Sequence, residues 1–252
     1  IMKTAFFLFF LLLLISIGSF ASELNNDSIR TSNKLEFKPS ALILPSVLIG
    51  YGVIGIESDG VKFWNAEIKE ELNEHIDEKL TIDDFSQYAP SLTVYGLNAA
   101  GLKGKHNFRD RTTILITAYT IMAATVTTLK KTTKITRPDN SSANSFPSGH
   151  TATAFIGAEF LWQEYKDVSP WYGIAGYAVA TGTGFFRIYN DRHWFTDVVT
   201  GAGIGILSTK CAYWVNPWLT KKLFREKPKQ ATSMVYPYYN GEQMGIGCVF
   251  IF

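Results

Sequence analysis

Residues 147–162 read PSGHTATAFIGAEFLW, a short polar turn that leads directly into an apolar run of helical length. Serine and glycine at a helix start leave backbone N–H groups free, and these groups bind anions together with the helix dipole. His150 then lies in the first turn, from which an imidazole can hand a proton to a departing oxygen. In the plainer interpretation, Ser148 only caps the helix and His150 is an ordinary surface residue.

A second cluster lies downstream, between two apolar segments. Arg187 is followed after five residues by His193 and, four positions later, by Asp197. A helix that starts near Asn190 or Asp191 would place His193 and Asp197 on one face, where the carboxylate accepts a hydrogen bond from one imidazole nitrogen. The other nitrogen is then free to act as a nucleophile. A structural His-Asp pair is the alternative at this spacing.

A third cluster lies upstream, where Lys130 is separated by six residues from Arg137. Lysine offers a compact charge and arginine a planar fork that matches two phosphate oxygens, so together they can hold a tetrahedral anion. By themselves, basic residues after a helix also complement the helix dipole or anchor the helix at a headgroup surface.

In order and spacing, the three clusters together resemble the signature of the type 2 phosphatidic acid phosphatase and vanadium haloperoxidase superfamily, which also contains bacterial class A acid phosphatases. The resemblance covers Lys130 to Asp197 by motif and extends over about 112–214 by helix pattern. Phe186 stands where the family usually has serine before the arginine, which removes a small polar contact.

The resemblance implies a metal-independent phosphatase without a cofactor. His193 would attack phosphorus to give a phosphohistidine, Asp197 would orient it, and His150 would protonate the departing alkoxide. The phosphate oxygens would be held by Lys130, Arg137, Ser148, Gly149 and Arg187. The residue chemistry supports the same roles, because fixed cations stabilise the charge that spreads over those oxygens in the transition state.

The sequence shows no cluster at metal-ligand spacing, and we expect the remaining histidines, His75 and His106, at the surface.

The apolar pattern predicts an all-α fold, a helical bundle of about six core helices. The predicted segments are 41–56, 88–102, 112–129, 151–162, 171–186 and 198–214. An extra amphipathic helix lies between the first two, with apolar residues every four positions; they are Trp64, Ile68, Leu72, Ile76 and Leu80. Because its acidic face would be repelled by anionic lipid headgroups, we expect this helix to pack on the bundle with its polar face in water and not to bind lipid. Near the C-terminus, two β-prone runs around Asn240-Gly241 predict a small β-hairpin.

Residues 1–21 predict a signal peptide, with retention as an anchor as the alternative. We expect a polar tether over 22–40, the phosphatase bundle over 41–218 with its motif core at 112–214, and a basic segment with the hairpin tail over 219–252. Cys211 and Cys248 could pair in an oxidising compartment, but Cys211 lies in an apolar helical stretch where a free thiol is commoner.

The same features bear on location. The catalytic loops share one side, and a basic loop lies on the other side, with Lys103, Lys105, Arg109 and Arg111. If the helices span, the positive-inside rule makes this basic loop cytoplasmic and the site extracytoplasmic. We therefore expect an exported protein, periplasmic or extracytoplasmic, in or at the inner membrane. Counting back two membrane spans from the basic loop places the start of the first helix inside. A cleaved leader would leave the same point outside. Either the leader is handled differently, the segment 41–56 does not cross, or no helix crosses. Most of the apolar segments are barely long enough to span a bilayer, and two of them are interrupted by the charged residues Glu159 and Lys210. The sequence therefore favours a membrane-associated bundle.

Composition excludes one class of partner. A net charge of +2 from 24 basic and 22 acidic residues provides no cationic field for nucleic acid. The expected partner is a phosphorylated lipid or a small phosphate ester, with the membrane surface or bilayer. Isoprenoid pyrophosphate, phosphatidyl phosphate and lipid A phosphate are the candidate lipids. A soluble periplasmic acid phosphatase of broad specificity, a vanadium-dependent haloperoxidase and a non-catalytic binder of phosphate lipids are the alternatives.

Overall fold

The structure is a computed structural model that describes residues 38–73, 81–224, 232–239 and 241–251. The expected signal peptide and almost all of the polar tether lie outside these residues. The chain divides into two compact units, Ile1–Asn216 and Pro217–Phe252.

Eight α-helices occur in the described residues, preceded by a 3-10 turn at Pro39–Leu42. They are α1 Ile43–Glu57, α2 Asp59–Asn73, α3 Ile82–Ser86, α4 Ala89–Ala99, α5 Phe108–Thr133, α6 Gly149–Tyr165, α7 Pro170–Tyr189 and α8 Phe195–Leu223. The prediction of an all-α bundle is confirmed, and each of the six predicted apolar segments is helical. The amphipathic helix is α2, although Ile76 and Leu80 lie outside the described residues. The apolar pattern did not predict α3, which is too short for a helical period to show.

Local sequence explains where the helices around the site begin and end. Ser148 caps α6 by accepting a hydrogen bond from the backbone N–H of Thr151, and Pro170 opens α7, where its missing N–H costs nothing. Lys134 ends α5 in the left-handed conformation, with φ 49°. The chain therefore turns sharply after α5 and carries Arg137 back toward the start of α6.

The central element of the first unit is α6. Nearly all of its side chains from Thr151 to Leu161 are buried, as expected for a helix that is apolar on every face. It packs against α4, α5 and α7, and its Ile156 and Phe160 share a core with Ile114 of α5 and Ile204 of α8. This position holds the turn before α6 in the middle of the site.

Two glycines bring α8 against α6. A Cβ at Gly201 would lie 2.5 Å from the carbonyl oxygen of Ser148, and one at Gly205 would overlap the carbonyl oxygen of Ala152. No larger residue fits at either position without moving a helix. The backbone of α8, which carries Asp197, therefore rests directly on the backbone of α6, which carries His150.

Three helices are long and apolar enough to cross a membrane: Pro39–Glu57, Phe108–Thr133 and Phe195–Leu223. In the first two, only 22% of the apolar window is buried inside the protein, against 67% in the third. Large apolar side chains of α1, among them Val47 and Ile54, are exposed. These surfaces support association with a membrane. Glu159 and Lys210, which interrupt the apolar pattern, form an ion pair at 2.7 Å and so neutralise each other.

The second unit contains a two-stranded antiparallel hairpin, β1 Thr232–Tyr239 and β2 Met244–Ile251, with Tyr239 opposite Met244. The predicted hairpin is thus confirmed, although Asn240 of its turn lies outside the described residues. Both cysteines are free, Cys211 half-buried and Cys248 exposed.

Candidate active site

The three sequence clusters meet where helices end and begin. Lys130 lies in the last turn of α5, Ser148 caps α6, and Arg187 lies in the last turn of α7. Two hydrogen bonds join the clusters: the N–H of Ser148 donates to the carbonyl of Asp197 at 3.0 Å, and the ammonium of Lys130 donates to the carbonyl of Ser145, just before the turn, at 3.2 Å. The motifs therefore form one site.

His193 and Asp197 are both almost completely buried, with 2% and 1% of their surfaces exposed. The helix α8 begins only at Phe195, so the expected helix start near Asn190 or Asp191 is wrong, and His193 lies in the preceding turn. Its Nδ1 lies 3.5 Å from Oδ2 of Asp197, which is longer than a well-formed hydrogen bond. The carboxylate is fixed by other donors, the hydroxyl of Ser145 at 2.5 Å and the N–H of Trp194 at 2.9 Å.

Burial sets the protonation state of His193. Loss of water around the ring lowers its pKa to about 4, and Lys130 and Arg187 add to this effect, whereas Asp197 opposes it. At neutral and mildly acidic pH the imidazole is therefore uncharged and keeps a lone pair. Asp197 lies next to Nδ1, so the lone pair that can attack an electrophile is the one on Nε2.

Cationic groups surround this imidazole. Arg187 is buried, and its Nη1 donates to Oδ2 of Asp83 at 2.5 Å, but its Nε has no hydrogen-bond partner among the described residues. The buried Nε of Arg137 is likewise unpaired. A buried N–H without an acceptor costs about 1–3 kcal/mol. Two such groups beside a neutral histidine indicate that an anion completes the site.

Lys130 is held in place by the loop that follows it. Its ammonium donates to the carbonyl oxygens of Asn144 at 2.5 Å and Ser145 at 3.2 Å. An ammonium group has three hydrogens, so one remains for a ligand. A cavity of about 470 Å³ opens beside it, lined by Thr127, Lys130, Lys131, Lys134, Ala143 and Asn144. Three lysines on one wall suit a second anionic group next to the phosphate site.

The start of α6 supplies backbone donors. Ser148 is completely buried, and its hydroxyl oxygen accepts hydrogen bonds from Thr151, from the backbone N–H at 3.4 Å and from the hydroxyl at 2.9 Å. The cap is thus present as the plainer interpretation expects. It does not exhaust the donors of the first turn, because the first N–H groups of a helix have no partner within the helix, and those of Gly149 and His150 belong to this set.

His150 pairs with a carboxylate that the sequence clusters do not contain. Its Nε2 lies 3.0 Å from Oδ1 of Asp84, and a third of its side chain is exposed. Burial and the nearby Arg187 lower the pKa of His150, while Asp84 and Asp83 act in the opposite direction. His150 is therefore not the ordinary surface residue of the plainer interpretation.

Sequence reasoning missed the acidic pair of α3. Asp83 is buried and accepts from Arg187 and from the side-chain amide of Asn190, at 3.0 Å for the latter. This contact holds the guanidinium by one edge. Asp83, Asp84 and His150 offer ligand atoms within 4.8 Å of one another, but Arg187 already neutralises Asp83, and we assign no metal to them. Nothing in the local pattern of α3 marks these carboxylates, because their partners lie 66 and 104 residues away.

The amphipathic helix also supports the site. The side-chain amide of Asn65 on α2 donates to the hydroxyl of Thr196 at 3.0 Å and accepts from the N–H of Thr196 at 3.3 Å. One turn later, Lys69 donates to the carbonyl of Pro138 at 2.7 Å and lies over the ring of Trp194. The helix thereby fixes the turn that carries His193.

One further expectation needs correction. His106 is not a surface residue: only 12% of its side chain is exposed, and its Nδ1 lies 2.7 Å from the buried carboxylate of Glu164. His75 lies outside the described residues.

Comparison with known proteins places this site in a family context. Residues 111–221 match the sequence profile of the PAP2 superfamily. A lipid A 1-phosphatase of Porphyromonas gingivalis is 36% identical over 170 residues, which are 64% of this chain and 38% of that protein. The chain therefore spans well under half the length of this relative.

Two crystal structures are similar in part. That of Aquifex aeolicus LpxE covers 59% of this chain and 94% of its own, with 24% identity and a TM-score of 0.46. That of the first transmembrane PAP2 type phosphatidylglycerolphosphate phosphatase from Bacillus subtilis covers 73% of this chain and 99% of its own, with 19% identity and a TM-score of 0.50. The second likeness supports the fold described above.

Proposed function

We propose, from the membership of residues 111–221 in the PAP2 superfamily and from the geometry around His193, that the chain is a phosphatase that hydrolyses a lipid phosphate through a phosphohistidine. One observation carries the proposal: a buried, uncharged imidazole lies beside Asp197 in a site where the Nε–H groups of Arg137 and Arg187 have no acceptor among the described residues. Such a site suits a tetrahedral anion and places an imidazole nitrogen where it can attack.

The residues divide the reaction into two steps. Nε2 of His193 attacks phosphorus, the P–N bond forms, and the P–O bond to the lipid breaks as His150 gives its proton to the departing oxygen. In the second step His150 takes a proton from water, the oxygen of that water attacks phosphorus, and the P–N bond breaks. Inorganic phosphate leaves and His193 is regenerated. Lys130, Arg137, Arg187 and the first N–H groups of α6 stabilise the charge on the phosphate oxygens in both steps.

The substrate class follows from the surroundings. Apolar helices that suit a bilayer carry the site, and the relative from Porphyromonas gingivalis acts on lipid A. The lysine-lined cavity beside Lys130 suits a substrate with more than one anionic group. Among the candidate lipids we therefore favour lipid A 1-phosphate, the class named for the relative from Porphyromonas gingivalis, ahead of isoprenoid pyrophosphate, which also has two phosphates, and of phosphatidyl phosphate, which has one.

The site faces the extracytoplasmic side in this proposal. Helix α5 has 26 residues and is about 39 Å long, enough to cross a bilayer. Arg109 and Arg111 lie at its start and Lys130 at its end. We assign the start of α5 to the cytoplasm, because Lys130 at the other end is bound to the carbonyl oxygens of Asn144 and Ser145 within the site. The end with the active site then lies outside.

A lipid panel tests the function. The purified chain in detergent, with a metal chelator, is given lipid A 1-phosphate, phosphatidyl phosphate, isoprenoid pyrophosphate and a small soluble ester, and released phosphate is measured. We expect lipid turnover that exceeds turnover of the soluble ester and survives the chelator. Equal turnover of soluble esters would favour a broad acid phosphatase. Halide oxidation after addition of vanadate and peroxide, without phosphate release, would favour a haloperoxidase.

A further inference from the structure

Asp84 is a charged residue of the site for which the two-step reaction above has no role. Its Oδ1 lies 3.0 Å from Nε2 of His150, and half of its side chain is exposed. The neighbouring Asp83, by contrast, is buried and bound to Arg187 and Asn190. Oδ1 of Asp84 also lies 3.8 Å from Nη1 of Arg187, which is beyond hydrogen-bond distance. The two adjacent carboxylates therefore have different main partners, since Asp83 holds the guanidinium and Asp84 holds the imidazole.

The helix that carries Asp84 is anchored at several points. Besides the contacts of Asp83, the hydroxyls of Ser86 and Thr183 share a hydrogen bond of 2.8 Å, which ties α3 to α7. The side-chain amide of Gln87 donates to the carbonyl of Asp84 itself at 2.8 Å. A carboxylate on so fixed a backbone presents its oxygen to His150 at a defined place.

We propose that Asp84 is a positioning residue for proton transfer: it holds His150 through Nε2 and leaves Nδ1 to protonate the leaving oxygen. This inference rests on the proposed function and deepens it. The proton moves from Nδ1 to the lipid oxygen as the P–O bond breaks, and a proton from water restores it in the second step.

The charges around His150 explain why such a partner is needed. Arg187 from α7 and burial both favour the neutral ring, and a neutral imidazole is a far weaker acid than the cation. Asp84 and Asp83 from α3 are the opposing charges, and Asp83 is already engaged by Arg187. The two carboxylate–imidazole pairs thus differ in the protonation state that the reaction requires. His193 beside Asp197 must be uncharged to attack phosphorus, and His150 beside Asp84 must carry a proton to donate.

The test compares two leaving groups. An alkyl phosphate needs a proton on its departing oxygen, whereas p-nitrophenyl phosphate releases a stable anion without one. For Asp84→Asn we expect kcat/KM with the alkyl phosphate to fall about tenfold more than with p-nitrophenyl phosphate. Removing the carboxylate also lowers the pKa of His150, so the alkaline limb of the pH profile should move to lower pH by about one unit. Asp84→Glu should restore part of both effects.

Controls separate this role from a structural one. Asp167→Asn, at an exposed aspartate beyond the end of α6, should change neither ratio nor profile. Nuclear magnetic resonance of ring-labelled histidine measures the titration of His150 directly, in Asp84→Asn or, should that variant fail to fold, in Asp84→Ser. Equal losses on both substrates, or an unshifted titration of His150, would overturn the inference.

Failure of the proposed function has a different signature. A wild-type chain that releases no phosphate, or a His193→Ala variant that keeps full activity, contradicts the phosphohistidine mechanism and the role of Asp84 with it. An active wild type and an inactive His193→Ala variant, combined with an unshifted Asp84→Asn profile, contradict only the role of Asp84.

Discussion

Buried charged groups lie at both ends of α6, and the two ends differ in how fully these groups are hydrogen-bonded. At the start, His150 lies near Arg187. The Nε groups of Arg187 and of Arg137 have no acceptor in the part of the chain that the structure describes. At the end, the carboxylate of Glu164 accepts from the N–H of His106 at 3.0 Å and from the hydroxyl of Tyr213 at 2.7 Å, and also pairs with the His106 ring. Glu159 is bound in the same way by Gln163, Tyr177 and Lys210.

This difference in hydrogen bonding distinguishes a ligand-binding site from a part of the fold that only provides stability. Buried polar groups cost free energy unless they are paired, so a fold that only needs stability satisfies them internally. The end of α6 follows this rule for both carboxylates. Arg111 beside Tyr165 departs from it, since two of its nitrogens have no partner among the residues that the structure describes. The start of α6 leaves donors unpaired near His193, the nucleophile of the proposed reaction, which suits a ligand that supplies the acceptors. Substitutions at the start should therefore cost activity, and those at the end should cost stability.

The largest expected effect concerns the nucleophile. His193→Ala should lower phosphate release at least about 1000-fold, because it removes the nitrogen that attacks phosphorus in the proposed reaction. Brief reaction with a labelled lipid phosphate should trap an acid-labile phosphohistidine on the wild type and none on the variant. A variant that still forms the adduct would place the nucleophile elsewhere.

Arg187→Lys should have the next largest effect, a loss of about 100-fold in kcat/KM. Lysine keeps the charge but loses the fork that binds Asp83 and the phosphate together. The matched control is Arg192→Lys, because Arg192 is half-exposed and forms an ion pair with Asp139 at 3.1 Å. Similar losses in both variants would show that general charge, and not the geometry of Arg187, supports turnover.

Glu164→Ala tests the opposite end. The change removes the acceptor of His106 and Tyr213, so we expect a loss of about 2 kcal/mol or more in unfolding free energy. The kcat/KM of the folded fraction should stay within about twofold of the wild type. Tyr213→Phe removes one of these donors and should cost about half as much. Thermal unfolding in detergent measures both, and a loss of activity without a loss of stability would contradict the division between the ends.

The smallest expected effect is that of pH, a fall in kcat/KM of about tenfold for each pH unit outside the optimum. The nucleophile must be unprotonated, so kcat/KM should rise with pH through the pKa of His193, which is lowered to about 4. The general acid must be protonated, so kcat/KM should fall as pH rises through the pKa of His150, which is lowered from its ordinary value. The optimum should therefore be acidic. A profile that still rises above neutral pH would exclude these assignments.

Much of the molecule could be predicted because its signals are local. The apolar segments, the amphipathic period of α2 and the turn before α6 each lie within a short window, and each appears in the structure. The helix start near Asn190 or Asp191 is wrong, because the spacing of four residues between His193 and Asp197 suggests a helix that these two residues do not need. A turn places the two residues within 3.5 Å without one.

The partners of the site residues could not be predicted, because each lies far away in the chain. Ser145 binds Asp197 across 52 residues, Asp83 binds Arg187 across 104, and Asn65 binds Thr196 across 131. No periodicity connects such pairs. Glu164 and His106 were missed for the same reason, since neither residue shows its partner in its own segment.

Gly201 and Gly205 of α8 determine how far substitutions elsewhere can alter the distance between α8 and α6 at the site. Where two helices touch through their main chains, their separation is fixed by peptide atoms and does not depend on the volume of side chains between them. The spacing between His150 on α6 and Asp197 on α8 is therefore insulated from substitutions on the exposed apolar surfaces. Those surfaces can diverge while the helix ends keep their separation.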